Sequence, residues 1–188
     1  MSGAAHAQTA TRSDRKTATA IVVSAGIGAL SIFEIGWIGG YRINLTPSEP
    51  LGLWRIVPLD RPATVGDVVF ICPPETAAMR EARSRGYLRS GLCPAGYAPL
   101  IKTIIGVAGQ DVEVGVDVRI AGHSVPRSNI SVVDGEGRPL TGWSGGAITV
   151  GFLFIHSDFI GSFDSRYFGP IPASSILGLA REVWTYVP

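Results

Sequence analysis

Two residues of this chain stand out for the chemistry they offer: a serine set between prolines and a lysine embedded in an apolar run. Ser48 occurs in Thr46-Pro47-Ser48-Glu49-Pro50, ahead of Leu51-Gly52-Leu53-Trp54. A serine hydroxyl attacks a carbonyl only when a nearby base removes its proton. The three histidines, His6, His123 and His156, lie in no recognisable triad context. A lysine is the other base available, provided its surroundings favour the neutral amine. The chain has two lysines, Lys16 near the N-terminus and Lys102 inside Pro-Leu-Ile-Lys-Thr-Ile-Ile-Gly-Val. On a strand, Lys102 shares a face with Leu100 and Ile104, and an inward orientation would desolvate its ammonium. Two plainer readings compete: a lysine facing out from a sheet edge, and a serine that belongs to an ordinary proline turn.

Other chemistries find little support. The net charge is +1 and only 16% of residues are charged, with no basic patch interleaved with aromatics, so nucleic acid is not an expected ligand. Two cysteines and three scattered histidines give no metal-ligand spacing, and no organic cofactor is suggested. The glycine-rich stretch 141–151 lacks the Lys-Ser/Thr arrangement of a phosphate loop and reads as a hairpin or loop. Asp111, Glu113 and Asp117 follow strand alternation and read as a solvated face. Trp143 and Trp184 read as core or interface aromatics.

The elements that must position these residues begin with an apolar stretch. With 188 residues the chain can form one domain with a real core, and its mean hydropathy of +0.28 is high for a soluble one. No charge occurs between Lys16 and Glu34, about the length of a spanning helix. Arg12, Arg15 and Lys16 against Asp14 place the N-terminus in the cytoplasm by the positive-inside rule. Trp37 and Tyr41 suit the outer interface, while Glu34 fits the picture less well. No clear small-x-small site closes the run, which favours a retained anchor over a cleaved signal peptide. The expected organisation is a cytoplasmic tail over 1–16, an anchor or signal segment over 17–41 and an outward-facing domain over 42–188.

That domain reads as mainly β. Residues 67–72, 100–107, 111–122, 147–157 and 178–187 are β-branched or aromatic runs divided by Gly and Pro, a pattern that suits a barrel or sandwich. Residues 75–87 are the one expected soluble helix, inside an insert bounded by Cys72 and Cys93. In an oxidising compartment these cysteines form a disulfide; two unpaired core thiols are the alternative.

In order along the chain, "PSEPLGLW", "VGDVVF", "LIKTIIGVAGQDV" and "SFDSRYFGPIP" resemble the motifs of the type I signal peptidase family. The short Ser-x-Pro-x-Gly-Leu-Trp form looks most like the TraF-type peptidases of conjugative plasmid transfer. The resemblance implies a signal-peptidase-like β-barrel or sandwich with an N-terminal transmembrane helix, located in the periplasm on the outer face of the inner membrane. It further implies Ser48 as nucleophile, Lys102 as general base, Thr46 with the Ser48 N–H as oxyanion donors, and Ser162 as a partner that orients the lysine. Asp164 is implied as a residue used more directly in the conjugative branch. Asp164 and Arg166, two apart, also suit an ion pair on one strand face.

The implied substrate is a conjugative pilin precursor, cut and in some relatives cyclised, with the conjugative transfer apparatus as partner. Two departures stand out. His156-Ser157-Asp158-Phe159 occurs where ordinary signal peptidases carry Gly-Asp-Asn-Arg, and Gly-Val-Ala-Gly-Gln-Asp replaces Gly-Leu-Pro-Gly-Asp. The first argues against a generic secretory role. A general signal peptidase and a non-catalytic periplasmic assembly domain remain as alternatives. A self-cleaving Ser-Lys repressor does not, because the N-terminus carries an apolar span where a DNA-binding helix pair would be needed.

Overall fold

The structure is a computed structural model that describes residues 12–187. It comprises two compact units divided between Gly40 and Tyr41. The first is a single helix, α1 (Arg12–Ile38). Its apolar stretch Arg15–Ile38 has 24 residues, about 36 Å at 1.5 Å per residue, and none of it is buried against protein. By length and composition it can cross a bilayer as an anchor, and a signal sequence would pass the same test. The helix closes on Gly39 and Gly40, whose N–H groups donate to Ile35 O and Trp37 O. Gly40 has φ 82°, a conformation that favours glycine.

The second unit is mainly β, with its strands in antiparallel pairs. Its larger sheet has seven strands in the order β1-β2-β11-β3-β4-β9-β10. These are β1 (Tyr41–Asn44), β2 (Leu51–Val57), β3 (Val68–Ile71), β4 (Leu100–Val107), β9 (Phe152–His156), β10 (Ile171–Pro172) and β11 (Ile176–Tyr186). The second sheet has four, in the order β7-β6-β5-β8: β5 (Asp111–Val114), β6 (Val118–Ile120), β7 (His123–Ser124) and β8 (Gly146–Ala147). β1 and β10 each have one neighbour in the larger sheet, so the architecture is sandwich-like and not a closed barrel.

Alternation along β4 sorts its side chains between two cores. Ile101 joins Trp54, Phe70 and Ala180 on one face, while Ile104 joins Val69, Ile71, Leu153, Ile155 and Ile171 on the other. Lys102 is on the Ile104 face and pairs in register with Val69. Val112, Val118, Ile120, Ile148 and Phe154 form a third cluster that joins the sheets. Gly106 marks their close approach, since a Cβ there would stand 2.7 Å from Ile148 Cδ1.

Two of the expected strand runs are broken. Residues 111–122 fold as the β5–β6 hairpin, and 147–157 divide at a turn formed by Val150 and Gly151, the latter with φ 84°. The expected helix 75–87 is the shorter α2 (Ala77–Ser84), started by Thr76, whose side chain accepts from the Met79 N–H. It buries Met79 and Ala82 against Leu88, Cys93 and Tyr97. Trp54 is in the core, Trp143 is half-buried and Trp184 is exposed on β11. Cys72 and Cys93 form a disulfide across a sequence separation of 21 residues, which fastens the insert to the end of β3.

A loop of that size constrains the unfolded chain by about 3 kcal/mol. Replacing both cysteines by serine should lower unfolding stability by about that amount, and a reductant should reproduce the loss in the unaltered protein, both measurable by denaturant titration.

Candidate active site

Ser48 is carried by the loop between β1 and β2, and the loop is built around one side chain. Asn44 Nδ2 donates to the carbonyls of Thr46, Glu49 and Pro50 at 2.9, 2.9 and 3.0 Å. Its Oδ1 accepts from the Thr46 N–H at 3.1 Å and the Thr46 hydroxyl at 2.8 Å. Trp54 Nε1 donates to Pro50 O at 2.9 Å and ties the loop to the core. Pro47 and Pro50 restrict φ on either side. The Ser48 carbonyl accepts from the hydroxyl of Ser157, at the end of β9. Among the described residues, the Ser48 N–H donates to no internal acceptor and is free to receive one from a substrate.

Thr46 Oγ1 and Ser48 Oγ are 3.5 Å apart, at the outer limit of a hydrogen bond. Asn44 Oδ1 can only accept, so the single Thr46 proton is already committed to it. Any Thr46–Ser48 bond is therefore donated by Ser48, and Thr46 must turn its hydroxyl before it can donate elsewhere.

Lys102 is 2% exposed, in the middle of β4. Its ammonium nitrogen donates to Ser162 Oγ at 2.9 Å and not to Ser48. Burial pulls the amine pKa down to about 8, against the opposing charges of Asp164 and Glu49, with Arg166 adding to the lowering. Beside Ser48, burial lifts the Glu49 carboxyl to about 7; Lys102 opposes that rise, while Asp158 and Glu182 add to it. Ser48, Lys102, Thr46 and Ser162 line one groove of about 480 Å³, together with Tyr87, Leu88, Phe159, Phe163 and Tyr167.

Asp164 and Arg166 are fully buried and are absent from that lining. The expectation of a strand-face pair is corrected: Asp164 is the N-cap of the short helix α3 (Ser165–Phe168), and Arg166 is in its first turn. The cap geometry turns both side chains inward. Arg166 Nε and Nη2 bind the two carboxylate oxygens at 2.8 and 2.9 Å. Asp164 also accepts the Ser157 N–H at 3.2 Å. Arg166 then donates to the carbonyls of Asn129, Ser162 and Phe159 at 3.0, 3.1 and 3.3 Å. The pair thus holds the loop that carries Ser162 and Ser157.

Several of these positioning groups are not evident in the sequence. The preference of Asn for turns could have drawn attention to Asn44, but nothing local marks Ser157. On the far wall of the groove, Tyr87 donates its hydroxyl to Asp134, which also pairs with Arg138 at 2.6 Å and so joins the disulfide-closed insert to the 131–140 loop. These bonds hold the Asp134 carboxyl well below its ordinary range. Among the described residues, no three His, Cys, Asp or Glu side chains converge to hold a metal ion.

A conformationally restrained serine and a desolvated lysine amine in one groove are the parts of a hydrolase that works without histidine. Residues 15–185 match the family described as signal peptidase, peptidase S26. A probable conjugal transfer protein TraF of Sinorhizobium fredii is 64% identical over 169 residues, covering 90% of this chain and 88% of that one. The conjugal transfer protein TraF of Agrobacterium fabrum is 54% identical over 164 residues, with 87% and 93% coverage. A plasmid transfer protein TraF of Escherichia coli is 33% identical over 173 residues, with 89% and 96% coverage. The chain belongs to the signal peptidase S26 family, in its TraF-type branch.

Removing one member of a buried ion pair leaves an uncompensated charge, at a cost of about 3–5 kcal/mol. Asp164→Ala should therefore lower unfolding stability by about that much, whereas Ser48→Ala should leave it within about 0.5 kcal/mol. Equal stabilities would show that the pair does not support the site.

Proposed function

We propose that this protein is a membrane-anchored serine endopeptidase with a Ser48–Lys102 dyad, and that it processes a pilin precursor for plasmid conjugal transfer from the periplasmic face of the inner membrane. The observation that carries this reading is the state of Lys102. It is the sole lysine of the β unit, is buried with its amine on Ser162, and lines the same groove as Ser48. A structural lysine on an exposed edge would show none of this. The conjugation assignment rests on what the relatives are named, and the orientation on the positive residues ahead of the apolar stretch, Arg12, Arg15 and Lys16.

In this mechanism the precursor enters as an extended strand, with small residues flanking the cut. Neutral Lys102 accepts the Ser48 proton as Oγ attacks the scissile carbonyl, and the Ser48 N–H stabilises the oxyanion. Thr46 can add a second donor once its hydroxyl leaves Asn44. The charged Lys102 then protonates the departing amine and leaves an acyl-enzyme on Ser48. Attack by water gives hydrolysis; attack by the precursor's own amine gives a cyclic product. Ser162 holds the lysine amine in place between steps. Asp164 and Arg166 act through the loop as positioning residues.

Intact-mass analysis of a candidate pilin precursor, co-expressed with wild type, Ser48→Ala or Lys102→Ala, tests the dyad. Processing by wild type alone is expected, and a product lighter by one further water identifies cyclisation. Equal masses in all three, with secretory precursors cut instead, would replace the pilin assignment with a general signal peptidase. Equal masses throughout would leave a non-catalytic assembly domain.

The pH dependence follows from the need for a neutral amine. Below the Lys102 value of about 8 the rate should rise about tenfold per pH unit, then level off above it. An inflection near the ordinary lysine value of 10.5 would contradict a buried base.

A further inference from the structure

Ser48 lies where two cavities meet. On the side away from Lys102 and Ser162 is a second cavity, of about 530 Å³, and the two linings share only Pro47, Ser48 and Phe159. A polypeptide with its scissile carbonyl at Ser48 has one cavity open to it on each side. The charged and titratable lining of the second cavity is Glu49, His156, Asp158 and Arg127.

Two of these groups carry a polar end without a partner. The half-buried Glu49 carboxylate takes no hydrogen bond or ion pair among the described residues; only its main-chain carbonyl is engaged, by Asn44. His156 is 2% exposed, and its Nε2 has no hydrogen-bond partner. Asp158 Oδ1 lies 3.8 Å from His156 Nδ1 and favours the tautomer protonated there, which leaves Nε2 as a bare acceptor. Burial lowers the pKa of this ring and keeps it neutral. Arg127, the one cation of the lining, is already paired with Asp158 at 2.5 Å. The cavity thus offers a carboxylate and a ring nitrogen, both desolvated and both without a donor. Desolvated acceptors of this kind are costly unless a ligand supplies the missing donor.

We propose that this cavity seats a primary ammonium on the half of the substrate that leaves, with Glu49 as counter-ion and His156 Nε2 as second acceptor. The proposal rests on Ser48 as the nucleophile that divides the substrate between the cavities. The ammonium comes either from the newly freed N-terminus or from a lysine side chain close behind the cut.

Binding to Ser48→Ala protein tests this without turnover. The probes are C-terminally labelled alanine peptides in two pairs: free versus acetylated N-terminus, and acetylated with lysine versus norleucine at the second position. At pH 8, above the Glu49 value of about 7, fluorescence anisotropy should show the charged member of one pair binding about tenfold tighter, and the pair that does so names the source. Adding Glu49→Gln should erase the difference. Rising salt should shrink it on the unaltered cavity, a readout that does not depend on how the variant folds. Equal affinities in both pairs, a preference that survives Glu49→Gln, or no binding by any probe up to about 5 mM would overturn the proposal. If precursor processing fails while the charge preference stands, the nucleophile reading falls and the cavity keeps its ligand. If processing succeeds and neither pair is discriminated, this inference alone falls.

Discussion

The Asp164 carboxylate and the Arg166 guanidinium share a volume from which water is excluded, and both halves of the site take their positions from that pair. Asp164 receives the N–H of Ser157, whose hydroxyl holds the Ser48 carbonyl. Arg166 holds the Ser162 carbonyl, and the Ser162 hydroxyl receives the Lys102 amine. Serine and lysine come from distant parts of the chain and are fixed to the same buried reference. Such a pair contributes little net stability, since desolvating both ions offsets their attraction. It does penalise strongly any arrangement in which one ion loses the other. Four-residue α3 is too short to hold its shape by helix propensity alone; the Asp164 cap and the tertiary bonds of Arg166 hold it.

The serine loop is held by a different kind of constraint. Asn44 satisfies three carbonyls and two donors in a segment where the prolines prevent a regular ladder. The loop therefore has few ways to relax, and the free Ser48 N–H is left pointing where no internal acceptor competes for it. Preorganised donors of this sort need no rearrangement when charge develops on a bound carbonyl. The burial of Lys102 and its bond to Ser162 fit the role proposed for it, because a base that must be neutral needs hydrocarbon around it and a hydrogen-bond acceptor to orient it.

Much of this was legible in the sequence, for identifiable reasons. β4 is long, apolar and bounded by turns, so the strand could be read from the sequence; alternation puts Lys102 on the face of Leu100 and Ile104 but leaves open whether that face points inward. The joint order of four motifs pointed to the family where each alone was weak. What escaped was long-range or context-dependent. Ser157 and Ser48 are 109 residues apart, and no local pattern reports their bond. The segment 164–168 carries two charges at strand spacing, and only the cap at Asp164 makes it a helix. Likewise β1 and β2 are not among the expected runs: β1 has only four residues, and Gly52 interrupts the periodicity of β2 within the serine motif.

The two cavities beside Ser48 are coupled through charge. Glu49 favours the ammonium form of Lys102, and Lys102 favours the carboxylate form of Glu49. The two groups therefore titrate as a linked pair rather than independently. A cation seated against Glu49 would cancel part of that carboxylate's field at Lys102 and shift the lysine further toward the neutral amine. Where that cation is a lysine side chain behind the cut, charged before the bond breaks, its seating would prepare the proposed base on the other side. In the proposed mechanism the coupling also runs in reverse: once Lys102 has taken the serine proton, its charge opposes that of the bound ammonium and weakens the hold on the leaving half. On this view Glu49 sets both the readiness of the proposed base and the release of product, through charge alone and without movement of the backbone.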